Sequence, residues 1–172
     1  MRNLFEEKQR FSQWWIWIIV AVPSVGLLLL FGNAIYQQMI LGKPWGDRPL
    51  SDEMLIVVSL FAVTAMIVTL MAFFVSVLEI VVDKSGVSYK YFPLVRNWQR
   101  IEKEDIVSFR HRSDFAMSYG VQRDLSGNRT LNVKGRDTIE IVKTDGSTLR
   151  LGTQKPEEFV AAMNTMKNRR FE

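Results

Sequence analysis

Apolar positions fall into two unbroken blocks followed by short alternating runs, and the two patterns demand different surroundings. The first block, WWIWIIVAVPSVGLLLLFGNAI, runs from Trp14 to Ile35 without a charged residue. About 20 apolar residues carry a helix across the hydrocarbon core of a bilayer, so this block predicts a membrane-spanning helix. Trp14, Trp15 and Trp17 gather at one end and Tyr36 stands at the other, as aromatic side chains do at headgroup level. Pro23 and Gly26 interrupt the middle, which helices in lipid tolerate. The length of the run, and the acidic Glu6 and Glu7 ahead of it, argue against a cleaved leader.

The second block, from Met54 to about Val77, is also free of charge and predicts a second span. Ala62, Ala65, Thr69, Ala72 and Ser76 recur in steps of three or four, which puts them on one helical face. Small faces let helix backbones approach closely in lipid. The stripe is therefore expected to pack on the first helix or on a second copy of the chain. Between the blocks, LGKPWGDRPLSDE (41–53) is short, polar and punctuated by Gly and Pro, a turn between antiparallel spans. Ser51, Asp52 and Glu53 supply a cap and an acidic first turn for the second helix.

Beyond residue 78 the pattern switches to the two-residue period of strands. Leu78–Val82 and Val87–Phe92 flank the turn DKSG, a hairpin signal. Strands follow around Trp98 and Ile101 and from Ile106 to Phe109, with weaker candidates in FAMSYGVQR (115–123) and RTLNVKG (129–135). DTIEIVKTDGSTLRLGT is the clearest hairpin, turning at Asp145-Gly146. A last helix starts at Pro156 with Glu157 and Glu158 in its first turn, and Thr153 is the expected cap. Phe159, Met163 and Met166 fall on one face of that helix, which must cover a sheet. The predicted organisation is a tail over 1–12, a two-helix hairpin over 13–80 with helices at about 14–35 and 54–77, and a soluble domain over 78–172. The soluble part is expected to be α+β, with about seven strands closed by a C-terminal helix.

Charge adds an orientation. Lys and Arg near the spans number three in the tail (Arg2, Lys8, Arg10) and two in the connecting loop (Lys43, Arg48), with Lys84, Lys90, Arg96 and Arg100 after the second block. Two spans put both flanks on one side, and the Lys/Arg bias then places both termini in the cytoplasm, as for a multi-pass protein of the inner membrane. Residues 83–172 carry 17 Lys and Arg against 12 Asp and Glu. This excess suits an anionic lipid surface, but a solvated domain surface is the reading expected of it.

The chain offers little reaction chemistry. It has no cysteine and a single histidine, His111, between two arginines in FRHRSD. That composition gives no transition-metal set, and no GxSxG elbow or phosphate loop is present. Glu79 stands at the junction of the second span and the first strand, where a snorkelling or strand-surface role is expected. Basic and aromatic residues interleave in RHRSDFAMSYGVQR, but with so small a basic excess a nucleic-acid partner is not expected.

Three segments carry a family resemblance. EIVVDKSGVSY, IEKEDIVSF (101–109) and TIEIVKTDGSTLRLGTQKPEEFVAAM (138–163) resemble, in that order, the first hairpin, a middle strand and the closing hairpin and helix of the bacterial pleckstrin-homology-like domain, in its two-span membrane type. The resemblance covers about residues 78–167. It implies a PH-like β-barrel or sandwich at a membrane, with no reaction, metal or cofactor attached. Relatives of that fold often bind phosphoinositides through basic residues between the first two strands. Here that loop is DKSG with Lys84 alone, so the resemblance implies no such site. Contact with anionic lipid falls instead to Lys84, Arg96 and Arg100. The expected function is a non-enzymatic binding or scaffolding module at the cytoplasmic membrane surface. Its expected partners are the bilayer and a protein, or a second copy, reached through the helices or a sheet edge. The alternative is an accessory subunit of a transport or envelope assembly.

Overall fold

The computed structural model describes residues 3–113, 119–125 and 127–168. The chain divides into two compact units, one formed by residues 1–12 with 75–172 and the other by 13–74.

The smaller unit is the helical hairpin. Helix α1 spans Trp14–Ile35 in 22 residues and continues as a short π-helical turn over Tyr36–Ile40. Helix α2 spans Asp52–Val75 in 24 residues. At 1.5 Å per residue these are about 33 and 36 Å long, enough to cross a bilayer core. Both are apolar enough to do so, and most of each surface lies uncovered within the protein. Gln38 closes the loop between them by donating to the Leu50 carbonyl and to Asp52 Oδ1, each at 2.7 Å. Trp17 meets Phe74 edge-on at 6.5 Å.

The larger unit holds two separate open sheets and one helix, an α+β arrangement. The first sheet is a meander in the order β1 (Phe5–Arg10), β2 (Val77–Val82), β3 (Gly86–Phe92) and β4 (Val95–Glu102), all antiparallel. The second contains β5 (Ile106–Ser113), β6 (Gly120–Arg123), β7 (Arg129–Asn132), β8 (Asp137–Lys143) and β9 (Thr148–Gly152) in the order β5-β8-β9-β7-β6. Only β7 and β9 run parallel in it. Of the expected 115–123 strand, residues 115–118 lie outside the described residues, and the strand there is β6.

Alternation decides which faces meet. Leu78, Ile80 and Val82 of β2 and Val87, Tyr89 and Tyr91 of β3 are buried, while their neighbours Glu79, Ser88 and Lys90 are not. Ile139 and Ile141 of β8 and Leu149 and Leu151 of β9 do the same in the second sheet. Helix α3 (Pro156–Asn168) buries Phe159, Ala162, Met163 and Met166 and packs against β1, β2, β5 and β8. Thr153 Oγ1 accepts the Lys155 N–H at 3.0 Å, so the cap acts on the residue before the helix.

Three expectations need correction. The stretch expected as a tail contains a strand: Phe5–Arg10 is an edge strand with all six residues in register against β2. Its inward positions are Phe5, Glu7 and Gln9, and the last two are polar, which hid the strand from a hydropathy reading. The hairpin is thus an insertion between two paired strands. The sheets do not close into a barrel, and the described residues hold nine strands, β1 and eight in the part expected to hold about seven. Finally, Ser76 falls after α2, where it is buried and hydrogen-bonded with the Tyr91 hydroxyl, so it cannot extend the helical stripe.

Candidate functional site

A cleft of about 530 Å³ opens between the two sheets, with Tyr89 and Gln99–Ile101 on one wall and the β8–β9 turn, Lys143–Leu149, on the other. Arg123 and Arg129 also line it, and they carry over into an adjoining depression of about 280 Å³ that adds Asn128 and Arg150. The turn is shaped by Gly146 at φ 79° and by Asp145, whose Oδ1 accepts the Ser147 amide and hydroxyl at 2.8 and 2.6 Å. Those bonds, with Lys143 beside them, hold the Asp145 carboxyl down to about 2.

Five cations border the combined cleft, and most are already matched. Arg100 bonds Asp83 twice, at 2.9 and 3.0 Å, and Glu102 at 2.9 Å. Burial pushes the Asp83 carboxyl up, but the bonds from Arg100 and Ser85 outweigh it and leave it at about 2. Arg150 meets Glu140 at 2.8 Å and Lys143 meets Asp145 at 3.2 Å. Glu140 is 3% exposed and is also bonded by Arg110 and Arg112, so three arginines surround one carboxylate. Burial opposes its charge, and the arginines prevail and lower its pKa.

Arg123 and Arg129 are different. They are direct partners on β6 and β7, and side chains directly opposite in an antiparallel pair have Cβ atoms about 5 Å apart on the same face. Arg129 is hydrogen-bonded with the Tyr89 hydroxyl, a neutral group whose pKa burial raises. Neither arginine has a carboxylate partner among the described residues. Like charges directly opposite repel, and a bound oxyanion between them would relieve the repulsion and accept guanidinium hydrogen bonds from both. The hydroxyls of Ser147 and Thr148 border the same space.

The residues singled out from sequence are scattered. Lys84 lies in the β2–β3 turn, and Arg100 is opposite Ser88 near that same end of the first sheet. Arg96 is one residue past Val95, which pairs with Tyr91 at the other end. At about 3.3 Å per residue the two ends are roughly 17 Å apart, so the three cations form no single patch. Arg100 in addition spends its charge on Asp83 and Glu102. In the helical hairpin, Ala62, Ala65 and Thr69 line an open groove of about 410 Å³ with Val20, Pro23 and Leu27 of α1. Ala72 lies on the same helix beyond that groove. Glu79 is a strand-surface residue that ion-pairs with Lys8 at 2.9 Å and Lys90 at 3.5 Å. His111 is exposed on β5 with Nε2 2.8 Å from Asp137 Oδ1. The Arg123–Arg129 pair escaped the sequence reading because nothing local reports which residues of β6 and β7 stand opposite.

No protein-family model, curated protein or solved structure matches the chain.

Proposed function

We propose that the chain is a membrane-anchored, non-enzymatic binding module whose basic cleft receives an oxyanion, phosphate or carboxylate, carried by a ligand from the aqueous phase. The observation that carries this reading is the Arg123–Arg129 pair, two opposed guanidinium groups lacking a carboxylate partner among the described residues. The helical hairpin supplies the anchor. Because β1 and β2 pair across it, both flanks of the hairpin belong to one side of the membrane, and the Lys/Arg bias favours the cytoplasmic side of an inner membrane. The PH-like assignment draws its support from the order of elements after the hairpin: two sheets and a closing helix with Phe159, Met163 and Met166 buried.

The test is a thermal-stability titration of the detergent-purified full-length protein with pyrophosphate and, separately, with an acidic peptide. Stabilisation by either, lost in the Arg123→Gln/Arg129→Gln double variant, supports the reading and names the source of the oxyanion. No stabilisation by either refutes the cleft as an anion site.

The groove lined by Ala62, Ala65 and Thr69 favours a second reading, an accessory subunit whose hairpin packs against another membrane helix or a second copy of itself. Crosslinking in native membranes tests it. An Ala65→Leu variant that loses a crosslinked product supports the packing role, and one that keeps every product excludes it.

A further inference from the structure

We propose that the end of the β domain from which the helical hairpin departs binds the phosphate of anionic lipid headgroups through Arg10 and Lys134, with the β3–β4 turn entering the bilayer interface beside them. The proposal rests on the reading that α1 and α2 cross a membrane.

Register fixes the geometry. Arg10 pairs with Val77, and Val77 pairs with Phe92, so these three form one transverse row across β1, β2 and β3. Arg10 precedes Trp14, the first residue of α1, by four positions, and Val77 follows Val75, the last of α2, by two. A chain reaches at most about 3.6 Å per residue. The row therefore lies within about 14 Å of one helix end and about 7 Å of the other, whatever path the connections take. With the helices in lipid, that is the depth of the headgroups.

Lys134 arrives at the same place from far along the chain. Its Nζ donates to Ser12 Oγ at 2.8 Å, and Ser12 is two residues before α1. Arg10, Ser12 and Lys134 line a shallow cavity of about 420 Å³ with Lys8, Gln9 and Gln154. Lys8 is committed to Glu79 at 2.9 Å. Arg10 and Lys134 have no carboxylate partner among the described residues, so two positive charges remain in one cavity at the root of the hairpin.

The apolar half of the surface is the β3–β4 turn. Phe92 is 39% exposed and Leu94 69% exposed, in a sheet whose other large aliphatic side chains on β2 and β3 are mostly buried. Arg96 stands two residues after Leu94. Phe92 ends the transverse row, so this turn continues the edge at which the chain arrives from α2. Cations that lack a carboxylate partner among the described residues, together with exposed apolar side chains, match the two layers of a membrane interface, charged headgroups above and acyl chains below. Of the three lipid contacts expected from sequence, Arg96 alone is at this end; Lys84 and Arg100 are at the other.

Native mass spectrometry of the full-length protein from neutral detergent, with added phosphatidylglycerol, phosphatidylcholine or glycerol phosphate, tests this directly. The proposal predicts retention of phosphatidylglycerol over phosphatidylcholine, and a loss of roughly tenfold or more in the Arg10→Gln/Lys134→Gln double variant, from about a kilocalorie per basic residue. The Arg123→Gln/Arg129→Gln variant should retain the lipid as the parent does. Equal retention of the two lipids, unchanged retention by the double variant, or competition by glycerol phosphate at lipid-equivalent concentration overturns the headgroup site. Release of the chain from membranes by alkaline carbonate would instead overturn the membrane reading beneath it. A chain that resists carbonate but shows no lipid preference refutes the headgroup site alone.

Discussion

Phe5 stacks on Phe159, with ring centroids 4.8 Å apart and planes 15° from parallel. One ring precedes the helical hairpin and the other lies in the closing helix, so the two ends of the chain share one core. Both are buried, at 5% and 0% exposure. Phe5→Ala should cost about 3 kcal/mol or more, through lost burial and an unfilled cavity. A double-mutant cycle with Phe159→Leu should show coupling of about 1 kcal/mol from ring packing itself. Denaturant unfolding of the full-length protein in detergent measures both. A cost near zero for Phe5→Ala would mean that β1 is not docked.

Neighbouring residues on β1 should behave in opposite ways. Glu7 is buried and accepts the Thr153 hydroxyl at 2.6 Å and the Gln154 amide at 2.9 Å, just ahead of α3. Glu7→Ala leaves those donors without their acceptor and should cost about 1–3 kcal/mol. Lys8 holds its partner Glu79 at the surface, and Lys8→Ala should cost under about 1 kcal/mol. Unfolding midpoints of the two variants compare them.

Asp83 gives the fold an acid-labile joint. Its carboxyl is held at about 2, below its ordinary 3.8. A carboxyl with a depressed folded pKa stabilises the fold above its unfolded pKa and loses that contribution as pH falls through the folded value. Stability should therefore be level above about pH 5 and decline between about pH 4 and 2, by on the order of 2 kcal/mol from this group. Glu79 and Glu140, also lowered, act in the same direction. In Asp83→Asn the decline should shrink, and the gap between the variant and the parent should narrow as the pH drops. A gap that is constant with pH would exclude the Arg100–Asp83 pair as its origin.

Glu140 is the anionic centre of an arginine cluster, 3% exposed and matched by Arg110, Arg112 and Arg150. Glu140→Gln removes the one carboxylate these three share among the described residues and should destabilise by about 1–3 kcal/mol, less than for a wholly buried pair because the arginines are partly in water. The loss should grow at low salt, where like charges are screened least. Salt-dependent melting curves of the variant measure it.

Much of the architecture was legible because periodicity is local. The first apolar helix is found where its apolar block lies, Trp14–Ile35, and the second, Asp52–Val75, begins and ends two residues ahead of the expected range. Both hairpins, around DKSG and Asp145-Gly146, form as their turn residues require. Strand β1 was not legible. In FEEKQR the inward side chains after Phe5 are Glu7 and Gln9, and these satisfy Thr153, Gln154 and Gly152 from more than 140 residues away. No hydropathy rule anticipates a polar inner face whose partners are that distant. The same limit hid the candidate sites: Arg123 opposite Arg129 and Lys134 beside Ser12 are products of register and tertiary folding, not of spacing.

The insertion of a membrane hairpin between two paired strands is the central claim, and labelling from one side of the membrane tests it most directly. The chain contains no cysteine, so single Asn3→Cys, Asp47→Cys and Lys155→Cys variants can each be treated with an impermeant maleimide in intact cells and in everted vesicles. The account predicts that Asn3→Cys and Lys155→Cys react only in everted vesicles and Asp47→Cys only in intact cells. Labelling of Asn3→Cys and Lys155→Cys from opposite sides, or of all three from the same side, would contradict it.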